Sequence, residues 1–156
     1  MAYAFRPSNL WIAASLLAAA LVPAPDALSL ATKPSAPIYV RLIGLRSDKG
    51  QIGCLLFNNA RGFPQEGKIA YQGRWCPIAK RESTCKFGPI PAGIYAIGCF
   101  HDEDNDRELD TGFLGVPVEG VVCSNHATGF MGPPSYEDAR FKFTGKATEV
   151  RLRMDY

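Results

Sequence analysis

The sequence lacks a charge excess of either sign: seventeen Lys+Arg stand against fifteen Asp+Glu, a formal +2 over 156 residues. That balance excludes the basic footprint of a nucleic-acid-binding protein and excludes a polyacidic solvating chain. It also lacks any segment with helical periodicity sustained over three turns, and it has no internal repeat. The single long apolar run, Leu10–Val22, has thirteen residues. A membrane-spanning helix needs about 20. No Cys follows the run closely, so a lipid anchor there has no support. At 47% hydrophobic and 21% charged residues the chain can bury a core and is not a disordered composition.

What is present begins with an address. Met1–Asn9 carries one charge, Arg6, before the apolar run, and Pro23, Pro25 and Asp26 end it. Ser29 and Ala31 fit the −3 and −1 positions of a cleavage site, so residues 1–31 read as a secretory signal peptide. The remainder is expected in an exported, periplasmic or extracellular compartment, not membrane-spanning after signal cleavage, where disulfides are permitted. Residues 32–37 read as a Pro-rich flexible lead-in and residues 38–156 as one domain.

Strand patterns dominate that domain. Ile38, Val40 and Leu42 alternate with Tyr39, Arg41 and Ile43. The turn signal Asp48-Lys49-Gly50 then predicts a hairpin with Gln51–Asn58. Gly73–Ala79 and Ser83–Ile90 read as two strands joined at Lys80–Glu82. Ile94–Phe100 is the most apolar strand and is expected to be central. Arg140–Phe143 and Thr148–Met154 alternate again around Gly145, and one short strand is expected near Val118–Cys123. About seven strands at this spacing predict an all-β fold, an antiparallel β-sandwich of immunoglobulin-like or transthyretin-like arrangement, with a small closed barrel as the alternative.

The densest chemistry follows the central strand. His101–Asp110 holds six carboxylates: Asp102, Glu103, Asp104, Asp106, Glu108 and Asp110. Carboxylates this close repel one another, and a cation relieves that. Asp102, Asp104 and Asp106 have the alternate spacing that turns three carboxylates toward one centre, and Asp110 can return as a fourth ligand. Ca²⁺ takes six to eight hard oxygens in flexible geometry and suits such a loop. An EF-hand is excluded: Arg107 occupies the Gly position and Phe113 the position of the bidentate Glu. The competing reading is a solvated acidic loop ordered by its own Asx turns. His101 and Glu119 are expected to anchor the loop to the domain.

These residues carry a resemblance. Pro91-Ala92-Gly93-Ile94-Tyr95-Ala96, then His101–Gly120 (HDEDNDRELDTGFLGVPVEG), then Ser124-Asn125, resemble the uncharacterised bacterial family called domain of unknown function 2141. Gly50–Phe57 and Gly132–Phe141 also resemble its segments. The resemblance implies an exported β-sandwich domain with no assigned activity. Within the acidic motif, Asp104 and Asp106 stand where the family pattern has Asn, and Gly112 stands in place of Asn. Asn105 and Arg107 stand where it has Gly, so this loop must turn without those glycines.

Five cysteines leave one unpaired. Cys76 and Cys85, on two arms of an expected hairpin, are the easiest disulfide. One further bond can form among Cys54, Cys99 and Cys123. Cys99-x-His101 with Cys123-x-x-His126 offers a zinc set, which export disfavours. The functional reading is a non-enzymatic binding module of the cell envelope, stabilised by Ca²⁺, with an envelope protein or glycan as partner. The rival is a small secreted hydrolase using the acidic loop or Ser124/His126. No strand–turn–helix elbow frames Ser124.

Overall fold

Alternation becomes burial in the first strand. In β1 (Ser35–Ile43) Ile38, Val40 and Leu42 are fully buried while the residues between them stay partly exposed. The structure is a computed structural model that describes residues 33–156. The signal-peptide assignment lies outside the described residues. The lead-in is shorter than the sequence suggests, because Ser35 and Ala36 already pair with Pro91 and Ile90.

The remaining strands are β2 (Gln51–Phe57), β3 (Gln72–Ala79), β4 (Glu82–Pro91), β5 (Gly93–Asp102), β6 (Val121–Cys123), β7 (Phe141–Phe143) and β8 (Thr148–Arg153). Among the described residues the one α-helix is a single turn, α1 (Tyr136–Ala139), whose N-cap Ser135 side chain accepts from the Asp138 amide. Among the described residues no helix is long and apolar enough to cross a membrane.

The described residues are nearly all β, as the alternation implies. The strands run in the order β6-β5-β2-β3-β4-β1-β8, with β7 added to the start of β5. All neighbours are antiparallel except β1 and β8, which pair in parallel, so the sheet is mixed. β3 turns the corner. Gln72–Pro77 pair with β2, and only Ile78 and Ala79 pair with β4. The two outer ends meet where Val121 and Asp155 exchange both backbone hydrogen bonds, so the sheet curls nearly into a barrel. Ile38, Val40, Leu42, Phe87, Ile52 and Ile97 fill its interior.

Two expected hairpins are absent. β1 pairs with β4 and β8, and β2 pairs with β3 and β5. The chain leaves β1 through Gly44 at positive φ. Leu45, almost fully buried, then crosses the end of the barrel with its amide on the Arg81 carbonyl. Likewise β7 joins β5, and β8 lies on β1. Gly145 makes that crossing possible. It has φ +79, and a Cβ there would lie 2.1 Å from the Pro34 carbonyl oxygen. The β3–β4 hairpin does form, through Lys80-Arg81, both at positive φ.

Both cysteine pairs follow from this register. Cys54 and Cys99 sit directly opposite one another on β2 and β5, with Cα atoms 4.2 Å apart, and are disulfide-bonded. Cys76 and Cys85 are bonded where β3 and β4 diverge, at a Cα separation of 5.6 Å. Cys123 is the buried free thiol.

Candidate functional site

β5 delivers His101 and Asp102 to one end of the barrel, where the β1–β2 connection packs against them. Gly50 permits that approach: it has φ +73, and a Cβ on it would lie 1.9 Å from the Asp102 carbonyl oxygen. His101 is fully buried. Its Nε2 lies 2.8 Å from the Lys49 carbonyl, which can only accept, so Nε2 carries the proton. Nδ1 then accepts from the Tyr156 hydroxyl at 2.6 Å. That hydroxyl in turn accepts from the Arg46 amide at 3.0 Å.

The acidic loop leaves from this platform. Glu119, buried, holds both of its ends: Oε1 accepts from the Glu103 amide at 2.7 Å and Oε2 from the Asp110 amide at 3.1 Å. Arg46 grips Glu103 with two parallel bonds of 2.8 and 2.6 Å. This contact, above all the hydrogen bond, holds the Glu103 carboxyl below the usual glutamate range. Inside the loop, Asp104 Oδ1 accepts from the Asp106 amide, and Asp106 Oδ1 accepts from the Glu108 amide. These are Asx turns. Asn105 (φ 68) and Arg107 (φ 69) adopt the left-handed backbone that the glycines of the family pattern would supply.

The structure brings Asp102, Asp104 and Asp106 together, with one carboxylate oxygen from each inside 4.8 Å of the others. Asp110 stands outside this group. It is exposed, and its backbone is tied to Glu119 and Val118 as the chain turns into the Thr111–Pro117 excursion. Asp102 differs in kind from its neighbours. It is fully buried, and its Oδ2 accepts from Gln51 Nε2 at 2.8 Å and from the Arg107 amide at 3.2 Å. Its Oδ1 is buried without a hydrogen-bond partner. Asx turns therefore explain Asp104 and Asp106 but leave this oxygen unexplained. Arg107 does not fill the centre. Its guanidinium lies over the Trp75 ring, 5.8 Å from the centroid, and makes no ion pair with the three aspartates.

The zinc set does not form, because Cys99 is bonded to Cys54 and both His101 nitrogens are engaged. Burial pushes the Cys123 thiol up to about 12. Nor does the structure assemble a nucleophile at Ser124. Its buried hydroxyl donates to the Ala139 carbonyl at 2.6 Å and accepts from the Ile97 amide at 2.9 Å, whereas His126 is exposed and unbonded to it. Ser124 ties β5 to the end of α1. Gln51, Arg46 and Tyr156 complete the platform and gave no sequence signal, since their partners lie 51 to 110 residues away in the chain.

Beside the acidic loop lies an apolar groove of about 930 Å³, floored by Phe100 and Val122 and rimmed by Leu114 on one loop and Met131 on another.

No curated protein and no solved structure matches the chain. A family model described as "Uncharacterized protein conserved in bacteria (DUF2141)" matches residues 40–151, which take in most of the barrel and the whole acidic loop. The chain thus belongs to the domain of unknown function 2141 family.

Proposed function

We propose that the barrel is an exported, non-enzymatic binding module whose acidic loop binds Ca²⁺ through Asp102, Asp104 and Asp106. The observation that carries this reading is the Asp102 Oδ1 atom, buried without a partner and belonging to a group of three converging carboxylates. A buried polar atom with no partner costs about 1–3 kcal/mol, and more when charged. Three clustered carboxylates add mutual repulsion. A hard divalent cation removes both costs at once, and backbone carbonyls and water complete its shell. Export is supported by the two disulfides and by the amino-terminal apolar run.

The test is a calorimetric titration of Ca²⁺ into chelator-stripped protein. One site per chain is expected, with dissociation constant on the order of 10⁻⁴ to 10⁻³ M, the range of extracellular calcium modules. Asp102→Asn and the pair Asp104→Ala with Asp106→Ala should each abolish the heat. Equal heats in wild type and these variants would exclude the loop as the site.

A further inference from the structure

Arg107 is the one Lys or Arg within His101–Asp110, and charge alone would send its side chain to the aspartates. Its backbone amide already donates to Asp102 Oδ2 at 3.2 Å, so that side chain starts at the rim of the three-carboxylate centre. From there a guanidinium could pair with Asp104 and Asp106 and donate to the unpartnered Asp102 Oδ1. It does none of these. It lies instead over the exposed Trp75 ring, 5.8 Å from the centroid. An exposed ion pair and an exposed cation–π contact are of comparable strength, so an aromatic face within reach decides where such a side chain rests.

Three strands build that face. Trp75 on β3, Gly53 on β2 and Phe100 on β5 stand in one row across the sheet. A Cβ on Gly53 would lie 2.5 Å from the Phe100 ring and 2.8 Å from the Trp75 ring, so the missing side chain lets the two rings close over β2. They meet edge to face, with centroids 5.6 Å apart and planes at 86°. Trp75 is held by Phe100 yet stays 42% exposed, on the side where the acidic loop brings Arg107.

The geometry points to Trp75 as a positioning residue of the calcium site: its ring holds Arg107 aside, so that the three aspartates stay open to the ion. The inference rests on the calcium reading above. Arg107 and Ca²⁺ compete for one set of carboxylates, and an arginine in the centre must leave before the ion enters. Removing the ring releases the competitor, and apparent affinity falls with the population of the open loop.

Calorimetric Ca²⁺ titration of a double-mutant cycle tests this. Trp75→Leu keeps an apolar contact for Phe100 but offers no π face. It should weaken binding about two- to fivefold, the factor that one exposed cation–π contact is worth. Trp75→Phe should recover most of that loss. Arg107→Gly suits the left-handed backbone at φ 69 and removes the competitor, so it should bind Ca²⁺ at least as tightly as wild type. In the Arg107→Gly background, Trp75→Leu should cost no further affinity. In chelator, the Arg107 δ-methylene protons should show an upfield ring-current shift by NMR that Trp75→Leu abolishes.

Undiminished affinity in Trp75→Leu, or an equal loss with and without Arg107, overturns the inference and leaves the calcium reading intact. So does an Arg107 side chain with no ring-current shift. If wild type and every variant give no heat, the calcium reading itself fails and the inference fails with it.

Discussion

Asp102 is a carboxylate that folding takes wholly out of water while giving only one of its oxygens a partner. Glu119 shows the contrasting case, a buried carboxylate with each oxygen on a backbone amide at one end of the loop. Glu119→Gln should therefore destabilise the domain by about 1.5–3 kcal/mol, since one charge-assisted bond is lost and an amide group is forced against an N–H. Hydrogen exchange should speed at the Glu103 and Asp110 amides, and unchanged protection there would refute the clamp.

Cys123 tests burial in another way. Its thiol keeps its proton when folded up to about pH 12, whereas an exposed thiol loses it near 9. The native state thus binds more protons across that window, so stability falls as pH rises from about 9 to about 12, by at most about 1.4 kcal/mol per pH unit. Below that window the contribution is intact. Chemical denaturation of wild type and Cys123→Ala at pH 8 and at pH 10.5 should show the wild type losing more stability between the two. Parallel losses would contradict the assignment. The acidic residues themselves were plain in the sequence, because spacing in a short loop is a local property. That Asp102 alone is buried was not legible, since its burial depends on Gly50 and Gln51 arriving from another strand.

Strands were readable, but of their partners only the β3–β4 hairpin was. The alternation in Ile38–Ile43 and in Thr148–Arg153 marks each strand, but nothing local says that β8 runs parallel to β1. Asp48-Lys49-Gly50 and Gly145 read as hairpin turns in sequence, yet in the fold the strands they join pair with other parts of the sheet. The disulfides divide the same way. Cys76 and Cys85 are nine residues apart on one hairpin and could be paired by inspection, whereas Cys54 and Cys99 needed the β2–β5 register.

Loop-closure entropy makes a quantitative distinction between them. Opening the 45-residue closure should cost about 4 kcal/mol and the nine-residue closure about 2.6 kcal/mol. Urea unfolding of the double variants Cys54→Ala/Cys99→Ala and Cys76→Ala/Cys85→Ala measures both. The first pair should be the more destabilised, and the reverse order would show that the closed loop length is not what governs their contributions.

In the whole molecule the barrel is a support that presents two unlike surfaces, an acidic loop and the apolar groove beside it. The near-zero net charge is an average over that separation. It conceals a loop with six of the chain's fifteen acidic residues and two stretches, residues 111–118 and 127–136, with no charge. Closure of the sheet through Val121 and Asp155 carries the chain end to His101, so the platform under the loop is built from the first, middle and last parts of the domain. On the proposed calcium reading, stabilisation by a cation in the loop is therefore expected to reach the whole fold.

Thermal unfolding in about 10 mM Ca²⁺, compared with chelator, measures this directly. At about 10–100 times the dissociation constant the expected stabilisation is about 1.4–2.7 kcal/mol, a rise of several degrees in melting temperature. Asp102→Asn, which discharges the buried carboxylate, should melt no lower than wild type in chelator and show no rise with Ca²⁺. Identical melting of the wild type in Ca²⁺ and in chelator, or an undiminished rise in Asp102→Asn, would contradict a calcium site built on Asp102.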